Sequence, residues 1–418
     1  MPPAFGIIAD DFTGAVMVAA LLEGQGIACP VLFAAQGASG LPGARVVIAA
    51  ARSRTVPVAE ALAEIAALHG ALTKAGCTRI AYKSCASFDS TPQGNIGPAA
   101  DFLAARAGRR PVLLSAGFPR FGATVHQGYL FYRNRLVTDS IKRHDPLTPM
   151  EDADLVRFLG RQTAEKVGLI NHLTLRRGDG ALALKDLTEA GMGHVLCDAS
   201  DDDDVAASVA LAVDSGLPVV ASDPLIVGLA QALGMGAPPL PRPQAPAPGR
   251  VAVLAGSTGP VVLEQLAALS QSHPVLMLDI LAADSVPTLA SRALNWAAQH
   301  SGSFAISTAP EAGALAQSQQ AFGALGAARR AEDLLAQVAQ GLRVRGIDRF
   351  AVAGGETSGA VVAALGLTRA RALPEGDLGP GECLSEQGAP LWLFLKPGKL
   401  GGDHILAEAI ARGEERAP

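Results

Sequence analysis

The chain has 418 residues, 49% hydrophobic and 17% charged, with 34 basic and 39 acidic side chains and a formal net charge of −5. That length exceeds one ordinary core and predicts two domains, while the even spread of charge leaves no basic stripe for nucleic acid. The start lacks the basic and apolar regions of a signal peptide and no run of about 20 apolar residues could span a membrane, so the expectation is a cytoplasmic protein without nucleic-acid or membrane partners.

The first apolar run, Phe5–Ala9, stops at Asp10-Asp11 and Thr13-Gly14, and residues 15–22 then have a helical composition. This is a buried strand, a turn and a helix. In open α/β sheets, ligands bind at such turns, outside the carboxyl ends of the strands. Two adjacent carboxylates resist burial there unless they meet a cation, a metal or a hydroxyl. The plainer alternative has Asp10 ending the strand and Asp11 capping the helix. Further strands are predicted at 46–50, 80–82, 112–115, 195–198, 219–222, 251–255, 275–278, 304–307, 350–353 and 391–395. Helical spacing of apolar residues marks 59–75 and 334–342. The alternation predicts an α/β protein of two Rossmann-like lobes, with mainly parallel sheets flanked by helices.

Two stretches interrupt the rhythm. Residues 122–150 include His126 and His144 and read as a loop or hairpin reaching toward the cleft, since irregular stretches of this length are uncommon without a function. Residues 236–249 are rich in proline, lack apolar periodicity and read as a semi-rigid linker. The division expected is therefore 1–236, a linker over 237–249, and 250–418.

In the first lobe, polar groups follow three strands: Asp10 and Asp11; Arg52, Ser53 and Arg54; and Lys83 with Ser87, Asp89, Ser90 and Thr91 just beyond. An arginine fork suits a carboxylate and aspartates accept from hydroxyls, so this set fits a small polyhydroxy acid. In the second lobe, glycine-rich turns follow three strands, over 255–259, 353–360 and 396–403. Glycines let backbone N–H groups approach phosphate oxygens, which favours a nucleotide site. No Walker or dinucleotide glycine fingerprint is present. The five cysteines are scattered without a C-x-x-C, so neither a disulfide framework nor a zinc site is expected. Asp201 to Asp204 read as a solvated helix start, and no protein-held metal is assigned.

Taken in order, Ile8 to Ala15, Tyr82-Lys83, Phe88 to Pro98, His126 to Phe131, Asp145 to Met150 and Gly354 to Ala360 make the chain resemble the four-carbon acid sugar kinase family along essentially its whole length. The resemblance implies an N-terminal sugar-acid-binding domain and a C-terminal ATP-binding domain with the substrate between them. It implies that Asp10, Asp11, Arg52, Lys83, Ser87 and Asp89 hold the sugar acid. Ser257, Gly354, Gly355, Glu356, Thr357, Gly401 and Gly402 are implied to hold ATP. The chain departs from the commoner family pattern at Met17, where an acidic residue is usual, and in the turns at 256–259 and 398–401. These departures bear on the substrate, with 3-oxo-isoapionate standing level with 3-oxo-tetronate.

The reaction expected is ATP-dependent phosphorylation of a terminal hydroxyl on a C4–C5 sugar acid, with Mg²⁺ bridging the phosphates. Asp11 or Asp89 would accept the hydroxyl proton, with Asp11 favoured. A non-catalytic sugar-acid-binding regulator and an NAD(P)-dependent sugar-acid dehydrogenase are the rivals, and a homodimer is left open.

Overall fold

Strands buried on both faces read as continuous apolar runs, and helices between them force a parallel arrangement. The computed structural model has this architecture and describes residues 4–415 apart from 42, 146, 234–239, 257–258, 282–283, 309–316 and 318–319. All eleven expected strands are present, each end within one residue of its predicted place. Contacts divide the chain into two units, one of residues 1–10, 26–28 and 38–239, the other of residues 11–25, 29–37 and 240–418.

The first unit carries seven parallel strands in the order Val46–Ala50, Phe5–Ala9, Arg79–Lys83, Val219–Ala221, Val112–Ser115, His194–Cys197 and Val167–Ile170. From Phe5–Ala9 the chain goes first to a neighbour on one side and then crosses to the other. The end of that strand is thus a topological switch point, where such sheets open a crevice. Residues 122–150, expected as a loop or hairpin, form a three-stranded antiparallel sheet of Ala123–His126, Tyr129–Tyr132 and Arg135–Leu136, followed by two short 3₁₀ turns. Its first turn places Gln127 at φ 53° and Gly128 at φ 79°, the conformation that tight two-residue hairpins demand. Buried Asp198 receives the N–H groups of both residues, at 2.6 and 2.8 Å.

The second unit has five parallel strands in the order Val275–Met277, Phe304–Ser307, Ala252–Ala255, Arg349–Ala353 and Trp392–Lys396. Three antiparallel ones follow: Glu382–Ser385, Arg369–Ala372 and Pro30–Leu32. Helix Phe12–Gly24 belongs to this unit and is buried at ten of its thirteen positions. Glu23 near its end pairs with Arg371, which is 2% exposed, and accepts the Cys29 N–H at 2.8 Å. The proline-rich segment is held at Pro246 and Ala247. The fully buried Arg349 donates to the carbonyls of Pro246, at 2.5 Å, and Ala247, at 2.7 Å. Residues 236–239 of the expected linker lie outside the described residues. Among the described residues, no helix is long and apolar enough to cross a membrane.

Candidate active site

In the first unit, the ends of four adjacent strands gather three carboxylates and three cations. Asp10 Oδ2 accepts from Arg54 Nε at 2.9 Å and from the Cys85 N–H at 3.1 Å. Its Oδ1 lies 3.7 Å from Lys83 Nζ, and among the described residues it accepts no hydrogen bond. Lys83 Nζ lies 3.6 Å from Asp223 Oδ2, and all three of these side chains are buried. Asp223 comes two residues past strand Val219–Ala221, as Asp10 comes one past its own strand. The repeated pattern of an apolar run ending in an aspartate could have revealed it. Ser84 Oγ is likewise buried, with no hydrogen-bond partner among the described residues. Unsatisfied buried acceptors are costly, so the Asp10 oxygen beside the Lys83 ammonium is an acceptor left available to a hydroxyl.

Of the expected pair, Arg52 donates its backbone N–H to Glu64 Oε2 at 2.9 Å, while Arg54 supplies the guanidinium on Asp10. Ser53 Oγ meets the Tyr82 hydroxyl at 2.9 Å. Burial, reinforced by the Asp10 charge, pushes that hydroxyl's pKa upward, so Tyr82 is a neutral hydrogen-bonding group at physiological pH.

The network continues through Cys85 Sγ, 3.3 Å from Ser87 Oγ. Ser87 donates to Asp89 Oδ1 at 2.9 Å, and Lys142 Nζ reaches Ser87 Oγ at 2.6 Å and both Asp89 oxygens at 3.0 and 2.9 Å. Phe88 between them sits at φ 53°, a conformation unfavourable for a bulky residue. It sets Ser87 and Asp89 together on one ammonium. Lys142 is 4% exposed and comes from the 3₁₀ turn Ile141–His144, more than fifty residues away in sequence. No local signal announces it. The rest of this motif is scaffold. Asn95 Nδ2 holds the carbonyls of Ser53 and Val56 at 2.7 and 2.8 Å, and Gly97 admits the backbone of Gln162, whose oxygen would lie 2.8 Å from a Cβ there.

In the second unit, the three glycine turns stand at the ends of adjacent parallel strands, although Ser257 lies outside the described residues. Asp11 caps helix Phe12–Gly24, accepting from the Gly14 N–H at 2.7 Å and the Thr13 hydroxyl at 2.9 Å. Its Oδ2 lies 2.9 Å from where a Cβ on Gly355 would stand, so a larger residue at the start of helix Gly355–Ala364 would push this carboxylate aside. Thr357, in that helix's first turn, likewise occupies the space of a Cβ on Gly256. Gly354 donates its N–H to the Lys396 carbonyl at 2.9 Å, with φ 124°. Glu356 follows in the same turn and is half-buried. Gly401, at φ 92°, and Gly402 precede helix Ile405–Glu414.

The acidic helix start is solvated as expected at Asp201, Asp202 and Asp203, and departs from that only at Asp204. Asp201 caps helix Asp202–Ser215, but Asp204 is fully buried and accepts from His172 Nδ1 at 2.9 Å and the Ser200 N–H at 2.9 Å. Ligand atoms of His172, Asp201 and Asp204 lie within 4.8 Å of one another, yet these groups satisfy each other at a helix end whose dipole favours anions. His126 bonds Ser200 Oγ at 2.9 Å, and its ring lies 5.2 Å from that of His172.

Buried carboxylates and cations past the strand ends of the first unit, and glycine turns with a capping carboxylate in the second, suit a two-domain small-molecule kinase. Residues 5–231 match the model of a sugar-binding N-terminal domain, and residues 252–406 match that of a nucleotide-binding C-terminal domain. The chain belongs to the four-carbon acid sugar kinase family. Its relatives include a 3-oxo-tetronate kinase of Burkholderia multivorans, 36% identical over 98% of this chain and 97% of the relative. Another is a 3-oxo-tetronate kinase of Methylobacterium radiotolerans, 38% identical over 98% and 99%. A solved structure from Salmonella typhimurium LT2 superposes with a TM-score of 0.79 at 32% identity, covering 97% of this chain and 98% of that one.

Proposed function

We propose that this sugar-acid kinase transfers the terminal phosphoryl group of ATP to a terminal hydroxyl of a C4–C5 3-oxo sugar acid. The observation that carries the reading is Asp11, whose carboxylate rests against Gly355 at the mouth of a glycine turn in the nucleotide-binding domain. A carboxylate on a turn suited to phosphates is a base stationed where an attacking hydroxyl must lose its proton. One peptide bond away, Asp10 is set in the sugar-binding domain, with Oδ1 ready to accept a hydroxyl of the acid. Lys83, Arg54 and Arg52 supply positive charge for the substrate carboxylate. Ser87 and Asp89, held by Lys142, orient the remaining hydroxyls. Because both Asp89 oxygens bind an ammonium, Asp89 is better suited to orienting substrate than to accepting its proton, which leaves Asp11 as the base.

Gly354, Gly355, Glu356, Thr357, Gly401, Gly402 and Ser257 are assigned to the nucleotide. The glycine cradle fits a phosphate chain, and Asp11 and Glu356 are oxygen donors suited to Mg²⁺. When bound, Mg²⁺ would neutralise charge on the transferring phosphoryl group. Two substrates remain matched to this reading. 3-Oxo-tetronate is named by the relatives, and 3-oxo-isoapionate is kept because buried Met17, one helical turn past Thr13, stands where an acidic residue is usual.

The test is coupled ADP release with Mg-ATP against C4 and C5 sugar acids and their 3-oxo forms. Turnover on one or two members supports the reading and names the substrate. Silence across the panel with ATP still bound refutes the substrate class, and silence without ATP binding refutes the kinase reading.

A further inference from the structure

Resting on that nucleotide reading, we propose that Lys396 and Gln265 form an internal brace that aims the backbone N–H groups of residues 401–403 at the nucleotide phosphates. Both are positioning residues. Lys396 ends the parallel strand Trp392–Lys396 and is 2% exposed; its Nζ donates to the carbonyls of Pro397 at 2.8 Å and Leu400 at 2.7 Å. Gln265, on helix Pro260–Leu269, is 1% exposed. Its Nε2 faces the carbonyls of Leu400, Gly401 and Gly402 at 3.3, 3.1 and 3.1 Å.

The consequence follows from peptide geometry. In a planar trans peptide the N–H of one residue points opposite to the C=O of the residue before it. Pinning the carbonyls of Leu400, Gly401 and Gly402 inward therefore turns the N–H groups of Gly401, Gly402 and Asp403 outward. Among the described residues, none of these three N–H groups donates a hydrogen bond. Successive outward N–H groups form an anion-binding concavity, here with a buried ammonium behind the peptide dipoles.

That ammonium gives the brace a signature. Burial brings Lys396 down to about 8, whereas nearby phosphates favour its charged form. Nucleotide binding should therefore raise its pKa and draw in a proton, about half a proton per site at pH 8. Affinity should fall as pH rises through 8 toward the raised value, and the linkage should fade below about pH 7.

The experiment is isothermal titration of the full chain with Mg-ADP at pH 8, in two buffers of different ionisation enthalpy. The wild type should take up protons. Lys396→Met should abolish the uptake and weaken Mg-ADP about tenfold or more. Lys396→Arg should bind without uptake, because arginine stays charged. Gln265→Leu should weaken binding and keep the uptake. Unchanged affinity and uptake in Lys396→Met would overturn the brace. If that variant does not fold, absence of uptake by the wild type overturns it equally. A wild type that fails to bind Mg-ADP overturns the nucleotide reading itself, and the brace with it.

Discussion

Asp10 and Asp11 are neighbours in the chain with separate duties. Asp10 closes a strand of the first unit and is surrounded by cations, while Asp11 caps a helix of the second and rests on a glycine turn. Replacing Asp11 by asparagine keeps the cap but removes the base, so kcat should fall by about 10²–10⁴ with little change in the KM for the sugar acid. Arg54→Ala should act differently. It leaves a buried carboxylate short of its charge-assisted partner, a loss of about 2–3 kcal/mol. It should appear as a drop of about 10²-fold in kcat/KM for the sugar acid, with the KM for ATP unchanged. The same measurements on Arg52→Ala compare the two arginines directly. Lys83 and Asp89 were legible because each sits just past an apolar run. Lys142 was not, because its meeting with Asp89 depends on a hairpin whose path only tertiary packing determines.

At the scale of elements, eleven of the twelve parallel strands were legible, whereas Val167–Ile170 and the antiparallel strands were not, for a physical reason. Strand Arg369–Ala372 alternates arginine with alanine and reads as polar, yet all four residues are buried. Their charges are met by Glu386 and Glu23. A pair of this kind is more damaging to break than to replace. Arg371→Met alone should destabilise by about 3 kcal/mol, or roughly 10 °C in a domain of this size. The double variant with Glu23→Leu should recover much of the loss, and paired melting curves check both. Gly355→Ala sets two effects against each other. Alanine ordinarily stabilises a helix position by about 0.5–1 kcal/mol over glycine. Here its Cβ would crowd Asp11 Oδ2 at 2.9 Å, so the melting temperature should hold or rise while kcat falls at least tenfold. A joint loss of stability and activity would instead mean that the helix itself is displaced.

For the whole molecule, the decisive feature is that the chain passes between units early as well as late. Residues 11–25 and 29–37 belong with residues 240–418, and nothing in the apolar pattern of Phe5 to Leu22 announces that passage. A segment is assigned from sequence by its own periodicity, whereas its unit is set by which surface buries it. Helix Phe12–Gly24 is apolar on nearly every side, and such a helix has to be enclosed. Strand Pro30–Leu32 supplies the antiparallel partner of Arg369–Ala372. A fragment of residues 240–418 would therefore expose an unpaired strand edge, lack the partner of Arg371 and be missing Asp11. Exposed edges of this sort pair with other chains, so the fragment should aggregate and bind Mg-ATP weakly. Supplying residues 1–239 in trans should restore soluble, nucleotide-binding protein, because it returns both missing segments. Sedimentation and nucleotide titration of the fragment, alone and with its complement, check this. Tight ATP binding by a soluble, monomeric fragment 240–418 would show that residues 11–37 are dispensable to the nucleotide-binding domain.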